Sequence, residues 1–159
     1  MIRTGVGYDV HKLIKGDSLI VGGVAIPSNF KSVGHSDGDC LIHAIVDAML
    51  GAANLGDIGC FFPSSDNKWK GSPSSIFLQK AVCELKNARY EIINIDSTVV
   101  LQRPVLSEHI FQIRNNLSLI MDINENQISV KATTTDGIGT IGLSEGWSAF
   151  AIATISKID

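Results

Sequence analysis

The sequence predicts an α/β (α+β) fold: a single domain with a mixed four-stranded sheet, a small hairpin, and helices on one face. Three observations carry that expectation. Helical stripes of apolar residues are interleaved with β-branched runs in the order strand, hairpin, helix, long loop, helix, strand, helix, strand, strand. At 159 residues the chain is long enough to bury one core without staples. No repeat, linker or low-complexity tract divides it, so residues 1–159 read as one unit.

Taken in order, Ile2 to Val10 alternates as a strand, with Asp9 and His11 two apart and therefore on one face if the chain stays extended. Ser18 to Pro27 reads as a hairpin around Gly22-Gly23. A loop from Ser28 to Gly38 carries His35 and Asp37 and leads to Asp39, a suitable N-cap for the helix that follows. That helix is apolar on nearly every side, which places it in the core, and only His43 and Asp47 interrupt it, one turn apart. Asn54, Gly56 and Gly59 punctuate its end. Gly56 to Ser75 lacks periodicity, yet Phe61, Phe62 and Trp69 argue for a flap packed on a ligand or a neighbouring subunit rather than for disorder. A second helix, capped by Ser74 or Ser75, buries Phe77, Ala81, Leu85 and Ala88. A strand from Ile92 to Gln102 ends at Pro104, and a capped helix from about Ser107 to Met121 aims Ile110, Ile113, Leu117 and Ile120 inward. Ile128 to Thr134 and Trp147 to Ser156 complete the strands, separated by a glycine-rich turn.

Composition narrows the function. Net charge is -3 and the sequence pI about 5.7, so no basic surface invites nucleic acid. A charged fraction of 18% and a mean hydropathy of +0.22 hint that other subunits cover part of the surface. Cys40, Cys60 and Cys83 are odd in number and lack CxxC spacing, which fits a reducing compartment. The first ten residues lack a signal-peptide core and no apolar run is long enough to span a bilayer, so a cytoplasmic protein without membrane contact is expected.

Two constellations carry chemistry. Asp9, His11 and His43 form a carboxylate-and-two-imidazole set of the kind that binds catalytic zinc through three ligands and leaves a fourth position open. His43 equally reads as a core histidine bonded to Asp47, whose carboxylate could orient an imidazole or close a bond within the helix. In Lys131-Ala132-Thr133-Thr134-Thr135-Asp136-Gly137, consecutive hydroxyls at a strand end, followed by a carboxylate, suit phosphate oxygens and a hard cation. The same residues also suit a plain strand and an Asp-Gly turn.

Three stretches together, GYDVH, GHSDGDCLIHAIVDAMLGAANLGDIGCFFP and KATTTDGIGTIG, resemble the 2-C-methyl-D-erythritol 2,4-cyclodiphosphate synthase family of the non-mevalonate isoprenoid pathway, over essentially the whole chain. The resemblance implies a homotrimer with active sites between subunits, each holding Zn2+ and Mg2+ or Mn2+. It implies that Asp9, His11 and His43 hold zinc, and that Asp136 stands where the family usually has a glutamate facing the second cation. His35 and Thr134 match positions that steady the reacting phosphates. Asp57 and Gly59 match contacts to ribose, and Leu101 to Ser107, with Pro104, Val105 and Leu106, the segment that cradles cytosine. Ser36, Phe62, Asp66 and Thr133 match further positions against this cytidine diphosphate-linked substrate.

The implied reaction is intramolecular: the 2-phosphate of 4-diphosphocytidyl-2-C-methyl-D-erythritol 2-phosphate attacks the β-phosphorus and CMP leaves. Two departures stand out. Phe62-Pro63-Ser64-Ser65-Asp66 replaces the usual FPDTD, and Gly139-Thr140-Ile141-Gly142-Leu143 replaces the usual GFTGR. Without that arginine, weak or no binding of isoprenoid diphosphates at the trimer axis is expected, which calorimetry with farnesyl diphosphate checks. The rival readings are a metal-dependent phosphohydrolase and a trimeric scaffold without activity; products and zinc content separate them.

Overall fold

The computed structural model describes residues 1–158. Its strands are β1 (Ile2–Lys15), β2 (Ser18–Val21), β3 (Val24–Pro27), β4 (Phe30–Val33), β5 (Tyr90–Val100), β6 (Ile128–Thr133) and β7 (Gly146–Lys157). The helices are α1 (Cys40–Ala53), α2 (Ile58–Phe61), α3 (Ser75–Asn87), α4 (Ile110–Met121) and α5 (Gly139–Gly142). The main sheet runs β4-β1-β7-β5-β6, with β5 and β6 parallel and the other pairs antiparallel, and β2-β3 forms a separate hairpin. The chain crosses between the two parallel strands through α4, as such pairs require.

The sheet therefore has five strands where the sequence predicted four. The extra strand, β4, lies inside the expected Ser28–Gly38 loop and pairs with the far half of β1, from Lys12 opposite Val33 to Lys15 opposite Phe30. Its four residues are too few to show a period, and its strand state comes from that pairing. For the same reason β1 continues past Val10 to Lys15, which puts Asp9 and His11 in mid-strand rather than near its end. Helix α4 begins at Ile110, not Ser107, and has no side-chain cap.

Helix α1 is the core element, with 12 of its 14 residues buried. Asp39 caps it by accepting from the Ile42 N–H at 3.1 Å, and the same carboxylate accepts from Gly22 and Gly23 in the hairpin turn at 3.1 and 2.7 Å. One side chain thus ties the β2-β3 turn to the helix start. Asn54, left-handed at φ 58°, ends the helix.

The closeness of α1 to the sheet is set by small residues on the helix-facing side of β1 and β7. Gly7 pairs with Ala151 and Gly5 with Ala153. A Cβ on Gly7 would stand 1.9 Å from the Ala44 carbonyl oxygen, and one on Gly5 2.2 Å from that of Ala48. The helix backbone rests almost directly on the strand. Because side chains alternate along β1, Asp9 and His11 point to the same face as these glycines and so towards α1.

Candidate active site

His43 projects from the first turns of α1 onto β1. Its Nδ1 lies 3.0 Å from Asp9 Oδ2 and 3.2 Å from His11 Nε2, and His11 Nε2 lies 3.0 Å from the same carboxylate oxygen. Three potential ligand atoms thus form a nearly equilateral triangle, and the three residues are placed so that they could hold a metal ion. His11 Nδ1 is 3.0 Å from the Val33 carbonyl. A carbonyl only accepts, so Nδ1 holds the proton and Nε2 presents its lone pair to the triangle when the ring is neutral.

The electrostatics agree with a cation there. Burial alone would push the Asp9 carboxyl up, but the bonds and charges of His11 and His43 hold it well below the usual carboxylate range. For His11, burial lowers the imidazole and the Asp9 bond more than offsets it, so the net direction is up. In the metal-free protein this negative centre gathers protons where an ion would sit, so a metal and protons compete for the same atoms.

Beside the triangle lies a cavity of about 140 Å3 whose lining includes His35, Ser36, Phe62 and Trp69. His35 Nε2 is held 3.0 Å from the Asp66 carbonyl. The expected flap is folded back on the molecule: Phe62 packs on Phe77 and Trp69 at centroid distances of 4.3 and 5.0 Å, and short α2 and a 3-10 turn at Asn67–Trp69 give it local structure. Asp57 caps α2 through the Cys60 N–H at 3.0 Å, with Gly59 exposed within that helix. The Asp66 carboxylate caps the 3-10 turn through Lys68 N–H.

A second cavity, of about 590 Å3, gathers Leu101, Pro104, Val105, Leu106, Thr133 and Thr134. The predicted cytosine segment and the threonine run thus share one wall. Its lining has no residue in common with that of the cavity beside the triangle. Asp136 lies in the left-handed region at φ 53°, and its carboxylate accepts from Thr134 Oγ1 at 3.3 Å. Within one chain, then, the metal centre and the predicted nucleotide wall stand apart. Lys131 in the same run is engaged by Asp96 at 2.6 Å.

Asp47 does not serve His43 as its spacing in the helix suggests. Its carboxylate touches neither imidazole nor its own helix; it accepts from the Ile58 N–H at 2.7 Å and anchors the start of α2. One turn along a helix brings two residues to one side, but here the nearer orphan donor is across the loop. Sequence reasoning also missed the role of Ser74. It precedes α3 as a cap residue should, yet it makes no cap bond; its hydroxyl donates to Asp37, and its oxygen lies 2.9 Å from His43 Nε2. Only its position before an apolar helix was visible, and that signals a cap.

The family model described as YgbB family matches residues 2–156. The chain belongs to the YgbB family. A relative from Syntrophomonas wolfei, named 2-C-methyl-D-erythritol 2,4-cyclodiphosphate synthase, is 49% identical over 156 residues, covering 98% of this chain and 99% of its own. One of the same name from Alkaliphilus oremlandii is 47% identical over the same coverage. Among solved structures, the bifunctional IspDF of Campylobacter jejuni aligns with a TM-score of 0.96 at 38% identity, covering all of this chain and 43% of that one. The Plasmodium falciparum IspF CDP complex aligns at 0.87 and 38%, covering 99% and 97%. The fold expected from the sequence, one α+β domain of this family, is the one observed, with the added strand. Among the described residues, no helix of this YgbB-family chain is long and apolar enough to cross a membrane.

Proposed function

We propose that this chain cyclises 4-diphosphocytidyl-2-C-methyl-D-erythritol 2-phosphate to 2-C-methyl-D-erythritol 2,4-cyclodiphosphate, releasing CMP, as a cytoplasmic homotrimer that uses Zn2+ with Mg2+ or Mn2+. The observation that carries this reading is the triangle of Asp9 Oδ2, His11 Nε2 and His43 Nδ1, with sides of 3.0–3.2 Å and a cavity beside it. Zinc bonded tetrahedrally at about 2.0–2.1 Å would hold such atoms about 3.3 Å apart, so the triangle is close to the size the ion needs. Two imidazoles and one carboxylate are also a donor set that suits zinc better than magnesium. A zinc ion held there, with a second cation at Asp136, would supply positive charge to the phosphate oxygens.

The protein's own side chains have the task of folding one substrate so that its two phosphates meet. The nucleophile and the electrophile belong to the same molecule, so orientation rather than a general base is what is required. His35, tethered to Asp66, and the Ser36 hydroxyl stand at the metal-side cavity where the 2-phosphate and β-phosphate would lie. The wall from Leu101 to Leu106 offers apolar surface of a size suited to a base, while Thr133 and Thr134 at its edge can donate hydroxyls to the diphosphate. As the bond from the 2-phosphate oxygen to the β-phosphorus forms, the bond to the α-phosphate bridging oxygen breaks and CMP leaves with that electron pair.

The two halves of this arrangement lie apart in one chain, which supports a site completed by a neighbour. The face of the sheet opposite the helices supports it too: Val6 is 71% exposed and Ile152 45%, and Tyr8, Val10 and Phe150 lie beside them. A sheet face this apolar calls for a partner. Three free cysteines accord with a reducing compartment. Phosphorus NMR of the reaction tests the activity: a cyclic diphosphate with equimolar CMP is expected, whereas inorganic phosphate or a linear ester would replace this reading with a hydrolase.

A further inference from the structure

The His43 ring is gripped from behind as well as in front. Its Nε2 lies 2.9 Å from Ser74 Oγ and 3.2 Å from Ser36 Oγ. The Ser74 hydroxyl is hydrogen-bonded to Asp37 Oδ1, and Asp37 Oδ2 accepts from the Ser74 backbone N–H at 2.9 Å. The Asp39 N–H, 3.3 Å away, adds a third donor to that carboxylate. A carboxylate accepts only, so the single hydroxyl proton of Ser74 is committed to Asp37, and the oxygen facing His43 must itself accept. With an ion in place of the proton that otherwise bridges Nδ1 to the Asp9 carboxylate, a neutral His43 would carry its proton on Nε2, facing Ser74, and offer its Nδ1 lone pair to that ion.

Three further features set Ser74 apart from an ordinary helix-start serine. It is fully buried, so water does not compete for its hydroxyl. It forgoes the cap bond that serine commonly makes at this position. It also mirrors what the Val33 carbonyl does for His11, so each imidazole has its outer N–H facing a fixed acceptor. Ser36 is different: it lines the cavity, and its Oγ, 3.2 Å from His43 Nε2 and 3.5 Å from Ser74 Oγ, accepts from the Gly38 N–H.

We propose that Ser74, oriented by Asp37, is a positioning residue that fixes His43 as the Nε2–H tautomer and aims Nδ1 at the bound ion. This rests on the metal reading above. The test compares wild type with Ser74→Ala and Asp37→Asn by chelator competition for zinc, by melting of the metal-free proteins, and by the His43 Hε2 proton resonance of the zinc-loaded wild type. Ser74→Ala should bind zinc about 10- to 100-fold more weakly and Asp37→Asn several-fold more weakly. The wild-type Hε2 resonance should be downfield and slow to exchange with water. Zinc affinity within twofold of wild type in Ser74→Ala, even with a lowered metal-free melting temperature, would mean a merely structural role and overturn the inference. So would a freely exchanging wild-type Hε2 proton, a result that stands even if neither variant folds. Wild-type protein that takes up no zinc overturns the metal reading and this inference together, whereas equal uptake by wild type and Ser74→Ala overturns this inference alone.

Discussion

A single methyl group at Gly7 would lift α1 off β1. The added Cβ would lie 1.9 Å from the Ala44 carbonyl oxygen and 2.8 Å from the Ala48 nitrogen, both backbone atoms of the core helix. A comfortable carbon–oxygen contact is about 3.3 Å, so the helix or the strand must give way by about 1.4 Å. No rotamer change relieves a clash between backbones, and forcing extra volume into a packed core costs typically 1–3 kcal/mol and sometimes more. Gly7→Ala should therefore destabilise by about 3 kcal/mol, the upper part of that range. The displacement also separates His43 from Asp9 and His11, and metal ligands tolerate errors of only about 0.2 Å. Zinc affinity should fall at least tenfold along with stability. Denaturant titration at fixed protein concentration, with and without zinc, measures both effects. Gly51→Ala is the control, because nothing lies within 4 Å of its added Cβ. Within a helix, that change should stabilise by about 0.5–1 kcal/mol. A Gly7→Ala protein within 0.5 kcal/mol of wild type and with unchanged zinc affinity would refute the idea that this close approach builds the site.

Other consequences can be checked separately. Asp39→Ala removes the α1 cap and leaves the Gly22 and Gly23 N–H groups without their acceptor; a loss of about 3 kcal/mol in denaturant titration is expected, and less than 1 would contradict it. The pH dependence follows from the shifted pair in the metal-free protein. His11 lies above its usual 6.5, so its contribution is full below that pH and is lost as pH rises through the folded value. Asp9 lies below its usual 3.8, so its contribution is present above that pH and is lost as pH falls towards its folded value. The melting temperature of chelator-stripped protein should accordingly decline from pH 6 to 8.5 while zinc affinity rises, and His11→Asn should flatten the first trend; an unchanged slope in that variant would count against the pairing. Ile152→Glu, on the exposed sheet face, should give monomers by sedimentation and lose CMP release; an active trimer would sink the proposed interface.

What could be read in the sequence was what depends on neighbours a few positions away. The shared face of Asp9 and His11 follows from strand alternation, and Asp39 as a cap follows from its place before an apolar run; both stand in the structure. What could not be read depends on partners distant along the chain. Strand β4 exists because β1 offers it an edge. Asp47 bonds Ile58 rather than an imidazole because the loop returns past it. Ser74 reaches His43 across 31 positions, a meeting that no local pattern encodes. The pairing of Gly5 and Gly7 beneath α1 was latent in GVGYDVH: small residues on the same alternation as the ligands, legible as a helix-docking surface only once a helix is known to lie there.

Cyclisation by this chain would depend on one ion held by Asp9, His11 and His43. Zinc content and CMP release from 4-diphosphocytidyl-2-C-methyl-D-erythritol 2-phosphate, measured side by side on wild type and His43→Ala, test it most directly. Wild type should carry one zinc per chain and release CMP, and the variant, though it still assembles, should do neither. A His43→Ala protein that releases CMP without zinc would contradict it.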